Sequence, residues 1–301
     1  MRLACVGHAS VDHHFEIAAF ADHPTKTPAH SYRQIVGGMA ANASIALTQL
    51  GASTRLLGRV GDDAAGTFVR AELERLGVDA RLEPVAGAAT SVSSVVVDAH
   101  GERQIFNHRG DALARAHALD TAQLEGVSAV LADPRWADGA AAAFVWAREH
   151  KLLSILDADV APQADLLRLV PLADWAVFSE PGLALFAPGL DASAALQLAV
   201  SNGARNAMVT LGARGVRWLQ GGMLHAQDAF NVQALDTTGA GDVFHGALLL
   251  ALAGGVEPGW GVAQSVRFAS AAAALKCQRR HGVMGTPARA EVLAFLASAP
   301  A

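Results

Sequence analysis

The sequence predicts an α/β fold: a mostly parallel sheet with helices on both faces, and a small β-rich appendage attached to it. Three observations lead there. From Ser128 onward, short apolar runs alternate with segments of helical period. Two glycine turns, at 37–38 and 239–241, each run straight into a helical pattern. Two stretches, 15–32 and 92–107, break the alternation and read as an appendage. Alternating β and α elements give a parallel sheet buried on both faces, with ligands at the carboxyl ends of its strands.

In chain order, residues 3–6 read as a short strand ending at Gly7. His8 to His14 follow, with Asp12 just past that strand end. Residues 15–32 are polar for their length, carry Pro24 and Pro28, and read as irregular. Gly37-Gly38 opens a helix through Leu50 that Gly51 closes. A strand over 54–60 leads through a turn to a helix over 67–76. Residues 92–97 and 103–107 are β-rich, and Asp98-Ala99-His100-Gly101 makes the hairpin turn between them. Strands then fit 129–131, 153–156, 175–178 and 207–210, and helices fit 140–150, 192–200, 241–253, 262–277 and 290–297. The expected division is a core of 1–11, 33–90 and 112–301 and an appendage of 12–32 and 91–111.

The chain has 301 residues, 52% of them hydrophobic, which is enough for a large core. Basic residues number 23 and acidic ones 28, with no basic tract, so a nucleic-acid partner is not expected. No apolar run reaches a membrane-spanning length, and the N-terminus reads as a strand rather than a signal peptide, so no membrane partner is expected. Cys5 and Cys277 lie in apolar contexts without metal-ligand spacing. They read as buried thiols of a cytoplasmic protein.

The chemistry concentrates at Asp236-Thr237-Thr238-Gly239-Ala240-Gly241-Asp242, followed by an apolar helical pattern. A glycine-rich turn entering a helix offers bare N–H groups and the positive end of a helix dipole, which together favour an anion. Asp242, in the first turn, is either a capping carboxylate or a general base. The string Asp-Thr-Thr-Gly-Ala-Gly-Asp-Val-Phe resembles the C-terminal signature of the ribokinase-like (PfkB) family of sugar and nucleoside kinases. Gly37-Gly38 with Ala41-Asn42-Ala43 resembles that family's N-terminal signature, and Gly58-Arg59-Val60-Gly61-Asp62-Asp63 is also typical of it.

The resemblance spans essentially the whole chain and implies ATP-dependent phosphorylation of a sugar hydroxyl on a ribokinase-like, doubly wound core, with 12–32 and 91–111 as a small β-sheet lid. It implies that Asp242 is the base and that Gly239, Ala240 and Gly241 form the anion hole. Asp12, Gly38 and Asn42 would contact the sugar. Thr210, Gly212 and Gly215 would lie on the ATP side. Asp236 and Thr238 match a monovalent-cation site, possible K⁺, of some members. Mg²⁺ would travel with the ATP phosphates. Where many members carry Asn-x-x-Glu, this chain has Ser179-Glu180-Pro181-Gly182, which leaves Glu180 as the Mg²⁺-side candidate.

Within the family, the segments 131–139, 178–183 and 242–247 resemble kinases of 6-deoxy-6-sulfofructose, which act on its 1-hydroxyl. Lys26, Asn107 and Arg135 fall where such enzymes hold the sulfonate; a surface lysine, a strand end and a salt-bridge partner are their ordinary structural readings. Arg59, His108 and Arg109 are further anion candidates by position. A neutral-sugar kinase, for fructose or ribose, is the alternative, and a sugar- or nucleotide-binding protein without catalysis is the alternative outside that class. The apolar residues on both faces of strand 92–97 predict a homodimer formed through the lid.

Overall fold

The computed structural model describes residues 1–114 and 117–299. In chain order these form β1 (Arg2–Gly7), β2 (Ser10–Ile17), β3 (Ala29–Gly37), α1 (Met39–Gln49), β4 (Ser53–Gly61), α2 (Ala64–Arg75), β5 (Asp79–Val85), β6 (Val92–Val97) and β7 (Arg103–His108). There follow β8 (Ala129–Ala132), α3 (Ala137–Glu149), β9 (Leu153–Ala158), α4 (Gln163–Leu169), β10 (Trp175–Ser179), α5 (Glu180–Phe186), α6 (Ala192–Ser201) and β11 (Asn206–Thr210). The chain ends with β12 (Val216–Gln220), β13 (Met223–Gln227), α7 (Ala240–Leu252), α8 (Val262–Cys277) and α9 (Arg289–Ser298).

Nine strands form one sheet in the order β13-β12-β11-β10-β9-β8-β1-β4-β5. From β11 to β5 every neighbouring pair is parallel, and β12 and β13 close the other edge antiparallel. The order reverses at β1, which lies between β8 and β4 and therefore opens a crevice at its carboxyl end. Side chains of β1 alternate between two cores. Leu3 and Cys5 pack with α1, α7 and α8, while Ala4 and Val6 pack with α3 and its neighbours. Helix α7 is buried from Val243 to Ala251, which is why its sequence is apolar all round. Gly246 lets it approach α1, since a Cβ there would stand 3.0 Å from the Ala43 carbonyl oxygen. Cys5 is fully buried, and burial pushes its thiol up to about 12, while Cys277 is half-buried. Among the described residues no helix is long and apolar enough to cross a membrane.

The second sheet has four strands in the order β3-β2-β6-β7. Much of 15–32 is therefore strand rather than irregular chain, and only residues 18–28 connect β2 to β3. The alternation there is blurred because polar side chains occupy both faces of β2. Asp12 consequently lies inside a strand, not just past one. Strands β5, β12 and β13 and helices α4 and α5 are further elements that periodicity did not single out.

Register sorts the small sheet into two faces. Asp12, Ser93 and Asn107 share a row, and Glu16, Val97 and Arg103 share another on the same face. That face meets the large domain: Arg103 donates to the hydroxyls of Thr238 (3.1 Å) and Thr237 (3.3 Å), and Arg33 reaches the His281 ring. The opposite face carries Phe15, Tyr32 and Val96 in one row and Phe106 in the next.

Candidate active site

The crevice beside β1 collects residues from several elements. Gly7 ends β1 with φ of 145°, and a Cβ there would stand 2.3 Å from Asp133 Oδ2. Asp133 is buried and accepts N–H bonds from His8 (2.8 Å), Ala40 (3.0 Å) and Arg135 (2.9 Å). One carboxylate thus fastens the end of β1, the start of α1 and the end of β8. Gly37 makes room for Asp12, whose Oδ2 would be 2.2 Å from a Cβ at that position. Gly38, with φ of 100°, makes room for the His8 carbonyl. These two glycines therefore serve the chain's own groups. Burial pushes the Asp12 carboxyl up, against the pull of His14.

Helices α1 and α7 meet at Asn42 and Asp242. The Asn42 amide donates to Asp242 Oδ2 at 2.7 Å. Gly239, in the left-handed conformation with φ of 75°, caps α7 without a side-chain bond, so Asp242 is not a cap. The Ala240 N–H turns back onto the Thr237 carbonyl at 3.2 Å. Among the described residues the N–H groups of Gly239, Gly241 and Asp242 find no acceptor. A Cβ at Gly241 would meet nothing within 4 Å, so this helix end faces open space. Bare donors, a helix N-terminus and a carboxylate thus converge on one opening.

Burial pushes Asp242 well above the usual carboxylate range, Asp157 adds to the shift, and the Asn42 hydrogen bond opposes it. Asp157, buried on β9, is also pushed well up, by burial first and then by Asp159 and Asp133. His245, one turn beyond Asp242, has Nδ1 2.7 Å from the Gly241 carbonyl and Nε2 3.5 Å from Asp157 Oδ1. Nε2 also lies 3.3 Å from the Val177 carbonyl, so the ring stands between two backbone carbonyls that can only accept. Neither Asp157 nor His245 stands out in the sequence, because each lies within an apolar run.

The anion candidates are placed unequally. Arg135 is half-buried, its buried Nη1 has no hydrogen-bond partner among the described residues, and burial and then the nearby Arg109 charge pull its pKa down. The same two arginines, after burial, hold His8 down at about 4, while its Nε2 lies 2.9 Å from Ser91 Oγ. Asn107 donates to Ser93 Oγ at 3.0 Å on the face shared with Asp12. Lys26 is exposed in the 18–28 connection, and no contact joins it to Asn107 or Arg135. Arg59 donates to the Leu113 carbonyl and stands over the Trp136 ring, which gives it a structural task. The His108 side chain is exposed, and its carbonyl accepts from Ser91.

Of the residues that the resemblance puts on the ATP side, Thr210 ends β11 and Gly212 and Gly215 both have positive φ. A Cβ at Gly215 would stand 2.1 Å from the Gln227 carbonyl. Glu180 receives Arg214 Nη2 on both carboxylate oxygens at 2.5 Å, across the same loop. Ser179 donates to Asp159 at 2.6 Å and caps α5 through Gly182 N–H. Behind the anion turn, Asp236 accepts N–H bonds from Thr238 and Gly282, both at 2.9 Å. The Lys276 ammonium donates to the Asp236 carbonyl at 2.7 Å.

The model of the pfkB family carbohydrate kinases matches residues 1–289. A ribokinase of Bacillus subtilis is 31% identical over 268 residues, covering 87% of this chain and 88% of its own. Fructokinase-1 of Zea mays is 27% identical, covering 90% of this chain and 91% of its own. A solved ribokinase candidate of Agrobacterium tumefaciens superposes with a TM-score of 0.92 at 32% identity, covering 98% and 97% of the two chains. An Arabidopsis thaliana ribokinase solved with ribose and ATP shares the fold, with a TM-score of 0.83 at 24% identity and 99% of each chain covered.

Proposed function

This chain belongs to the pfkB family of carbohydrate kinases, and from that premise we propose that it carries the terminal phosphoryl group of ATP to the 1-hydroxyl of an anionic ketose, 6-deoxy-6-sulfofructose. Asp242 accepts the proton of the attacking hydroxyl, and its raised pKa suits it to hold that proton. The free N–H groups at 239, 241 and 242 steady the charge on the transferred group. Phosphoryl transfer asks mainly for alignment and charge neutralisation, which this opening supplies. Asp12, Gly38 and Asn42 line the sugar side, and Thr210, Gly212 and Gly215 the ATP side. Mg²⁺ belongs to the phosphates of ATP and offsets their charge. Glu180 does not fit a metal-side role, because Arg214 takes both of its oxygens, and no step is assigned to it.

One observation carries the anionic substrate: among the described residues Arg135 keeps a buried Nη1 without a partner, and, after burial, a second arginine, Arg109, depresses its pKa against the opposing pull of Asp133, Asp159 and Asp157. Two like charges and an unfilled donor invite an anion from outside. A sulfonate is fully ionised at neutral pH and offers three acceptor oxygens. Asn107 and, after a shift of the 18–28 connection, Lys26 complete its surroundings. The neutral-sugar reading is supported by the ribokinase and fructokinase relatives. We place a homodimer in the same proposal, with two small sheets pairing through their outer faces.

ADP release with sulfofructose, fructose, fructose 6-phosphate and ribose tests the substrate. Sulfofructose should give the highest kcat/KM. Losing one partner of a closed-over charge pair costs on the order of 10²–10³-fold. Arg135→Ala should therefore cut kcat/KM for sulfofructose by about that factor and change fructose turnover little. Equal losses for both sugars, or a wild-type preference for fructose or ribose, overturn the sulfonate reading and leave a neutral-sugar kinase.

A further inference from the structure

Lys276 has no exposed surface at all, although it is one of the residues most rarely buried whole. A buried ammonium persists only if oxygens surround it. Its Nζ donates to the Asp236 carbonyl at 2.7 Å and lies 3.7 Å from Asp236 Oδ1. The neighbouring carbonyl of Cys277 accepts the N–H groups of Leu235 (2.7 Å) and Asp236 (3.1 Å). Asp236 itself is held below the ordinary carboxylate value: burial works against this, but the N–H bonds of Gly282 and Thr238 and the Lys276 charge outweigh it. The end of α8 therefore grips 235–238, the segment that leads directly into the Gly239 turn.

A monovalent cation fits poorly here. It needs the Asp236 carbonyl and carboxylate oxygens, and both already face the Lys276 ammonium. Arg103 adds a second positive charge from the lid side, through Thr237 and Thr238. A third cation would enter against two fixed ones.

We propose that the Lys276 ammonium is the built-in cation of the 235–238 loop, so that the anion turn is held in place without potassium. Lys276 is a positioning residue in this role: it touches neither sugar nor nucleotide and acts through Asp236 on the N–H groups at 239, 241 and 242. The proposal rests on reading that turn as the site of the transferred phosphoryl group.

The test compares wild type, Lys276→Ala and Lys276→Met at equal ionic strength in chloride salts of tetramethylammonium, sodium, potassium and ammonium. Wild-type kcat and KM for ATP should agree within about twofold across all four. Lys276→Ala should lose roughly tenfold or more in kcat and recover in a saturable way with potassium or ammonium, which can enter the vacated space. Lys276→Met fills that space without charge; it should lose as much and recover nothing. The melting temperature of Lys276→Ala should rise with potassium over sodium, while that of wild type should not. Severalfold activation of wild type by potassium overturns the proposal. So does a fully active Lys276→Ala, or one whose rate and melting temperature ignore the cation. The melting comparison needs no sugar turnover, so a wild type inactive on every sugar would defeat the kinase reading while leaving the cation proposal tested. If Lys276→Ala does not fold, the salt series on wild type and Lys276→Met still decides.

Discussion

In its proposed role as base, Asp242 sits where function and stability oppose each other. A base must lose its proton, yet burial and Asp157 hold the proton on Asp242 well above the usual range, with Asn42 pulling the other way. The folded pKa exceeds the unfolded one. The stabilising contribution of the neutral form is therefore complete below the ordinary carboxylate pKa of about 4 and is lost as pH rises through the raised folded value. Asp242→Asn, neutral at every pH, should melt higher than wild type at neutral pH, and the gap should close as the buffer approaches pH 4. The same variant should lose on the order of 10²–10⁴-fold in kcat while still binding ATP. Near wild-type turnover would remove Asp242 from the role of base. Asn42 offers a second check. Its amide bonds to the charged form, so Asn42→Ala should raise the pKa of Asp242 further and move the acid limb of the rate profile to higher pH. A limb that stays put or moves down would mean that the 2.7 Å bond does not govern the proton.

At the scale of elements, the four-stranded sheet is too thin to bury both of its faces. One face closes on the large domain through Arg103 and Arg33, but the other presents Tyr32 at 53% and Phe106 at 63% exposure, with Phe15 packed on Tyr32 at 5.0 Å between ring centres. Apolar rows across neighbouring strands, left open to water, favour pairing with a matching surface, and a second copy supplies one. Light scattering at micromolar concentration should give a dimer, and Phe106→Glu with Tyr32→Glu should give a folded monomer. A wild-type monomer would count against the pairing. The apolar part of this sheet was readable from Val92 to Val97, but β2 and β3 were not, since their histidines, Arg33, Asp12 and Glu16 mask the period-two signal. The site divides in the same way. Asp242, Asn42 and the glycine turn announce themselves locally, because a tight turn and a helix start require particular residues. Lys276 and Asp157 do not: each is one charge in an apolar run, and its partner is distant in sequence, 40 residues away for Lys276 and Asp236. Only the packing of α8 and β9 against α7 reveals their tasks.

For the whole molecule, the question is how the two sheets cooperate. ATP bound beside Asp242 could pass its phosphoryl group to water whenever the crevice is open, and a sugar kinase gains by assembling its site only around the sugar. The contacts that join the sheets mark where such assembly would take place. Arg103, at the start of β7, lies on Thr237 and Thr238, the residues just before the anion turn, and Asp12 and Asn107 share its face of the sheet. A sugar held by Asp12 and Asn107 would therefore draw the same face, and Arg103 with it, onto the turn that steadies the phosphoryl group. Formation of ADP without sugar should be slower than with sugar by roughly tenfold or more. Arg103→Ala should narrow that ratio, by lowering the sugar-dependent rate while leaving the slow sugar-free rate almost unchanged. Asp12→Asn should chiefly raise KM for the sugar, since it weakens the grip that closes the sheet. Equal ADP formation with and without sugar in wild type would mean that no closure gates the reaction. A ratio untouched in Arg103→Ala would mean that the contact with Thr237 and Thr238 is not what couples the small sheet to the phosphoryl site.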